Sequence, residues 1–499
     1  MTRLLIAVTA LEGGALLEST LKPLLADSKQ DIRIVVANLT ADDSCRDLPE
    51  DPRLLLLTSE YRNQAQFYQD MLLTFDAELM ILLPEGVLAQ PLLLETLVAE
   101  FRRKPQAVAF YSDYELLVED KVECISPFLF PRDITERYDL GPLLAFRTTA
   151  LHLIGGFEQS WNSAHLYDAR LKLIETGSWE HIEAPLYRVK ASEERETAHM
   201  GASRVFSPGV GAQGGFSYLY YTEAEQMEFE LAFKNFLYRQ NALIHVRPAT
   251  VEPVEEFSCT VSVVIPVFNR VRFIGQAIES VLQGSYTDFE ILVVDNGSTD
   301  GTPELVEKLA GVESRIRLLR NDRNIIAHSL NLGIKAAKGR YIAQLDSDDE
   351  YAPETLATSV SWMEMHPDWG LGISYYDLMD ETGNPLEEFG IVRHLEYDPN
   401  NHLRVDGAGA LRFWHRSVLE EMGFFDELSY GDFGEDYEMV AKVGEKYRVG
   451  RIPFVLYHYR RHPDNTDVLR SELMKISNKT RARWEAITRR QQQNTDKQK

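Results

Sequence analysis

The strongest constraint on this fold is a series of short apolar runs alternating with amphipathic ones in the second half of the chain. Val261-Ser262-Val263-Val264-Ile265-Pro266 has the length and branching of a buried strand. Phe273, Ile274, Ala277, Ile278 and Val281 then recur near a 3.6-residue period, as a helix with one apolar face requires. A second strand, Phe289 to Val294, runs into Asp295-Asn296-Gly297-Ser298-Thr299-Asp300-Gly301, a loop of turn formers. A helix, a short strand from Arg315 to Leu319, another helix and the strand Tyr341-Ile342-Ala343 follow. This alternation predicts an α/β domain with a mainly parallel sheet and helices on both faces. Ligands of such sheets bind at the carboxyl ends of the strands, where Asp295 and Asp346 fall.

The segment Gln344-Leu345-Asp346-Ser347-Asp348-Asp349 ends that last strand and precedes a helix start at Ala352-Pro353-Glu354-Thr355, where Pro suits the first turn. Three carboxylates at a strand end repel one another and are costly to desolvate. A divalent cation removes that cost, and hard oxygen ligands select Mg²⁺ or Mn²⁺ held together with a diphosphate. A helix N-cap is the plainer role for such acids, and Asp349 is assigned to it.

The first half reads as a worn copy of the second. Ile32 to Asn38 matches Glu290 to Asn296 in pattern, and Leu79 to Gly86 with Pro91 matches Tyr341 to Asp348 with Pro353. Pro84, Glu85 and Gly86 there replace Asp346, Ser347 and Asp348, which removes a metal site. Gly155-Gly156-Phe157 matches Met422-Gly423-Phe424, and Tyr167-Asp168 is placed on Glu435-Asp436. The expected organisation is a non-catalytic module over 1–190, a connector with a helix over 191–256, a catalytic module over 257–470, and a basic tail over 471–499. In the connector a loop runs from Ser207 to Gly215, and Ala224 to Gln240 is helical, with Phe229, Ala232, Phe233, Phe236 and Leu237 as its apolar face. The tail carries Lys479, Arg481, Arg483, Arg489 and Arg490, and reads as a basic helix fraying into a disordered tail; a solvated surface helix is the plainer reading and contact with an anionic membrane surface the sharper one.

Composition narrows the partners. The chain has 499 residues, 44% of them hydrophobic and 26% charged, with a formal net charge of −25. That charge argues against nucleic-acid binding, so an anionic substrate needs a local cation. Cys45, Cys124 and Cys259 are odd in number and widely spaced, which fits a reducing, cytoplasmic setting without a disulfide scaffold. No run of 18 apolar residues appears, and the N-terminal apolar run soon meets Glu12-Gly13-Gly14, so it reads as a first strand and not a signal peptide.

Several ordered motifs from about Thr260 to Asn465 carry a resemblance. They are Ser262 to Asn269; Val294 to Asp300; Asn331-Leu332-Gly333 through Gly339 into Leu345 to Asp349; Gly423-Phe424-Phe425-Asp426 with Gly434-Glu435-Asp436-Tyr437; and Tyr457 to His462. In this order they resemble the family 2 inverting glycosyltransferases. That resemblance implies the GT-A nucleotide-sugar-binding fold, with its Rossmann-like sheet, in two tandem modules. It implies a nucleotide-sugar donor, most simply a UDP-sugar, and a glycan, lipid-linked or protein acceptor. By resemblance Asp346 and Asp348 form the Asp-X-Asp motif, the second ligating the metal and the first contacting the ribose or a metal-bound water. Asp295 accepts from the uracil imide, Pro266, Val267 and Phe268 flank the base, and Asn269 and Arg270 point the same way. Asp436 is the base that takes the acceptor's proton, and Glu435 orients it. His458, Arg460, Arg461 and His462 follow the predicted strand Pro453 to Leu456, with His458 and His462 as further metal ligands and the arginines for the diphosphate. Leu330 stands where the family has a basic residue, and Ile325-Ile326 follows Asn324 where it has Gly. With Asn324 kept as a donor contact, a phosphate or base contact is then either missing or supplied by Arg323 or His328. Two other readings stay open: a nucleotidyltransferase of similar fold, disfavoured because Pro266 to Arg270 lacks a phosphate-binding glycine cluster, and an inactive scaffold.

Overall fold

A computed structural model describes residues 2–10, 13–39, 48–57, 61–118, 121–136, 138–190, 203–208, 216–430 and 433–497. Glu12, Cys45 and the loop 209–215 lie outside the described residues. The chain forms two units, Met1–Ala202 with Tyr220–Phe236, and Ser203–Leu219 with Leu237–Lys499.

The first unit contains β1 (Arg3–Ala10), β2 (Asp31–Asn38), β3 (Leu54–Leu57), β4 (Leu79–Pro84), β5 (Val87–Ala89), β6 (Ala107–Val118), β7 (Lys121–Ile125), β8 (Leu144–Arg147) and β9 (Ser178–Lys190). Their sheet has the order β3-β2-β1-β4-β8-β6-β9-β5, with β7 paired to β6. A separate pair follows, β10 (Ser203–Pro208) and β11 (Phe216–Tyr221). The second unit contains β12 (Cys259–Val267), β13 (Phe289–Asp295), β14 (Ile316–Arg320), β15 (Gly339–Gln344), β16 (Glu350–Tyr351), β17 (Trp369–Met379), β18 (Arg412–His415) and β19 (Arg448–Arg460). Its order is β14-β13-β12-β15-β18-β17-β19-β16, which repeats the first sheet position for position. The two modules are therefore one α/β architecture used twice.

The sheet is mainly parallel, as the sequence pattern predicts. β14, β13, β12 and β15 run parallel, and β17 pairs in parallel with β19. Two reversed strands interrupt it: β18 pairs antiparallel with both β15 and β17, and β16 with β19. The reversed strands escape the sequence pattern because they are only four and two residues long. The parallel half is apolar without alternation because both faces are covered. Val261, Val263 and Ile265 pack with Ile274, Ala277, Ile278 and Val281 on one side, while Val264 packs with Leu330 and Ile334 on the other. Each such side chain contributes about 1.5–3 kcal/mol on burial. Ser262 is the polar exception, and its hydroxyl donates to Glu290 at 2.7 Å and accepts from the Gly339 N–H at 2.8 Å.

Strand register fixes the correspondence between modules. Gln344 faces Arg412 across β15 and β18, and Leu82 faces Leu144 across β4 and β8. Continuing along the strands sets Pro84 and Gly86 on Asp346 and Asp348, as the sequence pattern gives. The helices before β9 and β19 start at His165 and Glu435, and aligning both helices and strands sets Tyr167 on Tyr437. Both hydroxyls then donate to a backbone carbonyl, of Ile134 at 2.6 Å and His402 at 2.8 Å. This corrects the placement of Asp168. It corresponds to Glu438, and each pairs with a lysine four residues on, Lys172 and Lys442. Leu166 takes the place of Asp436.

The connector carries its expected helix, and the tail differs from expectation. The helix Glu223–Arg239 is present, but residues after it are tied to the second unit: Asn400 bonds both the N–H and the carbonyl of Ile244. The tail is one helix, Glu472–Lys497, and not a fraying segment. Lys475, Lys479, Arg483 and Arg490 are buried. They bond the Asp467 carbonyl, Asp406, the Leu403 carbonyl and Glu445. Arg481 donates to the Ser429 carbonyl and Arg489 to Glu445. The cations assigned to a membrane surface are thus used within the protein. Among the described residues no helix is long and apolar enough to cross a membrane.

Candidate active site

A cleft of about 710 Å³ opens at the carboxyl ends of β12 and β15. Pro266, Val267, Phe268, Asn269 and Arg270 form one wall, with Asn296 and Asn324 beside them. Asn269 adopts a left-handed backbone (φ 52°), which Asn tolerates through local side-chain bonding. Its N–H donates to the Ser298 hydroxyl and its Oδ1 accepts from the Thr299 N–H, both at 2.8 Å. This fastens the end of β12 to the loop after β13.

Asp346 and Asp348 line the floor. Asp346 reaches the cleft solvent, yet the surrounding protein, with Asp348 and Asp436, pushes its carboxyl up to about 6. Burial also raises Asp348. The hydrogen bond from His462 (2.9 Å) and the charge of Arg270 (3.3 Å) outweigh that and hold it below the usual carboxylate range. Asp349 is not a helix cap. It is buried, accepting from the Tyr457 hydroxyl and the Arg460 N–H at 2.7 Å each. The following helix begins at Thr355 with Glu354 as its cap, so Pro353 precedes it.

Glu435 and Asp436 face the same cleft from the helix Glu435–Gly444. Gly434, at φ 97°, makes the turn into that helix, a conformation other side chains resist. Asp436 Oδ1 accepts from the Tyr437 N–H at 2.6 Å, and Oδ2 accepts from Arg412. Burial and then the Asp436 charge push the Glu435 carboxyl well above its ordinary value. Arg412, Lys479 and Asp406 also line the cleft, none of them anticipated.

Three expected ligands are placed elsewhere. His458 lies on the opposite face of β19 from Tyr457 and Tyr459, because strand side chains alternate. It bonds Asp377 at 2.6 Å and is not in the cleft wall. His462 touches Asp348, but its Nδ1 accepts from the Asp464 N–H at 3.2 Å. Its Nε2 therefore carries the proton given to Asp348, so it orients that carboxylate and is not a metal ligand. Asp295 is 1% exposed. Its oxygens take the Ser298 N–H and Arg320, both at 3.3 Å, and it does not line the cleft. Its neighbour Asn296 does. Asn296 Oδ1 accepts from Asn321 at 2.8 Å and Ser329 at 2.5 Å, which leaves its amide NH₂ for a ligand. His328 pairs with Glu427 at 2.8 Å, and neither it nor Arg323 lines the cleft, whose cations among the described residues are Arg270, Arg412, Arg470 and Lys479.

Among the described residues no three His, Cys, Asp or Glu side chains form a metal cage. Asp346 and Asp348 nonetheless fit Mg²⁺ or Mn²⁺, which typically take one or two carboxylates and complete their shell with phosphate and water. The raised Asp346 carboxyl is the charge crowding such an ion relieves.

Carboxylates thus stand on two sides of one cleft at the carboxyl edge of the sheet, where ligands of such sheets bind. Residues 262–423 match the family model for glycosyl transferase family 2. The chain is 39% identical over 209 residues to an uncharacterized glycosyltransferase of Rickettsia bellii, covering 41% of this chain and 29% of that protein. It is 26% identical over 229 residues to a hyaluronan synthase of Pasteurella multocida, covering 43% of this chain and 22% of the synthase. The chain thus spans less than a third of the length of these relatives. The solved structure of S. aureus TarS 1-349 in complex with UDP-GlcNAc is similar at 19% identity and TM-score 0.35, over 42% of this chain and 61% of that one. A likeness that slight carries no argument, and the architecture rests on the strand order.

Proposed function

We propose that the second module transfers a sugar from a nucleotide-sugar, a UDP-sugar in the simplest case, to an acceptor hydroxyl with inversion. The observation that supports this most is that Asp346, Asp348 and Asp436 open into one cleft. A nucleotide base fits the wall at Pro266 to Phe268, with the Asn296 amide offered to a base carbonyl. Asp346 and Asp348 would hold the cation, which when bound supplies positive charge to the leaving diphosphate. Asp436 takes the proton of the acceptor O–H. The oxygen bonds to the anomeric carbon from the opposite side, and the bond to the diphosphate breaks with its electron pair on the departing nucleotide. A single displacement gives inverted product. Acceptors of glycan, lipid-linked or protein type all present such a hydroxyl.

UDP with Mn²⁺ at about 100 times Kd is expected to raise the melting temperature by about 5–10 °C. Asp348→Ala should abolish the metal-dependent part of that shift. An inactive scaffold shows no metal-linked shift in either protein, and that result sinks the donor site.

The first module is proposed to lack catalysis, since Pro84, Gly86 and Leu166 stand at the positions of Asp346, Asp348 and Asp436. Asp168→Asn is expected to leave turnover within about twofold of normal, because Asp168 pairs with Lys172 inside the first module and does not line the cleft. A large loss of turnover in this variant shows that the first module takes part in the reaction.

A further inference from the structure

Arg412 lines the cleft, with its side chain 22% exposed. Other arginines of the second module hold loops and helices: Arg451 donates to the Leu395 and Gly407 carbonyls and Arg483 to the Leu403 carbonyl, while Arg461 and Arg490 pair with Asp467 and Glu445. Arg412 donates to the Asp436 carboxylate, which lines the same cleft. It projects from β18 opposite Gln344, two residues before Asp346. The charges of Asp436, Asp346, Asp406 and Glu435 all act on it.

The first module supplies an internal control. Features that hold the fold persist there, including the Tyr167 bond to a carbonyl and the Asp168–Lys172 pair. Arg412 does not persist, since register sets Leu144 at its position. The arginine is absent in the module where Pro84, Gly86 and Leu166 replace the three carboxylates. An arginine needed to close the sheet has no reason to disappear with them.

We propose that Arg412 is a positioning residue for the transfer reaction, acting through Asp436; this rests on Asp436 being the base. With the Tyr437 N–H on Oδ1 and the guanidinium on Oδ2, both oxygens are held, so the carboxylate cannot turn about its last bond. Holding a base within a fraction of an ångström of its proton is where orientation gains rate. The guanidinium charge also acts on both Asp436 and Asp346, whose like charges otherwise repel.

The test is a double-variant cycle on the full chain, read by UDP release from whichever UDP-sugar stabilises the protein most. Arg412→Gln is expected to lower kcat at least about 10-fold with donor KM within about threefold, since the loss falls on a bond to the base and not on the donor site. In the Asp436→Asn background the same change should cost less than about threefold more, because the group it acts through is already gone. Arg412→Lys, which keeps the charge but not the fork, should recover part of the rate and guards against misfolding in the Gln variant. Arg412 losses that multiply in full with those of Asp436→Asn overturn the proposal, as does a Gln variant with normal kcat. Normal turnover in Asp436→Asn alone overturns the base reading instead, a separate failure.

Discussion

Asp436→Asn is expected to lower kcat by about 10²–10⁴-fold while leaving UDP affinity within about twofold, because general-base catalysis supplies a factor of that size. The substitution preserves shape. The side-chain oxygen still accepts from the Tyr437 N–H, but no carboxylate remains to receive a proton. The neighbouring acid does not substitute for it. Burial and the Asp436 charge raise the Glu435 carboxyl, which leaves Asp436 as the acceptor in the proposed reaction. The donor carboxylates Asp346 and Asp348 belong to another strand end and are untouched. Steady-state UDP release and calorimetric UDP titration separate the two quantities. Turnover near normal moves the base elsewhere, and a matching loss of UDP binding moves Asp436 into the donor site.

The local part of this molecule was legible and the long-range part was not. The runs at Val261, Phe289 and Tyr341 gave β12, β13 and β15 because a strand covered on both faces must be apolar throughout. Asp346, Asp348, Glu435 and Asp436, singled out through the ordered motifs, line one cleft. His458 was misplaced because β17 and β19 shift register between Ser374 and Tyr376, so sequence alone does not say which of two alternating faces meets the cleft. Asp295 was misassigned because its partner Arg320 comes from the next strand. Arg412 left one usable signal: a charged residue entering the apolar strand Phe413-Trp414 requires a carboxylate partner. Nothing local named Asp436 as that partner. The tail misled most, since a row of cations reads alike whether it faces lipid or buried carboxylates.

That tail carries the second large effect. Lys479→Met should destabilise the second module by about 3–5 kcal/mol, the typical result of removing one partner from a buried ion pair. Its ammonium pairs with Asp406, and both side chains are largely shielded from solvent (4% and 18% exposed). Burial pushes the Asp406 carboxyl up, but the Lys479 charge outweighs it and holds that carboxyl well below the usual range. A carboxylate depressed in the folded state contributes stability that is fully present above its unfolded value, about 3.9, and is lost as pH falls towards the folded one. Urea unfolding at pH 7 should therefore show the full deficit in Lys479→Met, and the deficit should narrow below about pH 4. Asp406→Asn combined with Lys479→Met should recover much of the stability, because no charge is then left buried alone. A double variant no more stable than the single one shows that the lysine works through its stem packed on Phe433 and Tyr437, whose rings lie 5.5 Å from Nζ. A single variant as stable as wild type, with the helix still in place, shows that the pair does not hold the tail against the cleft.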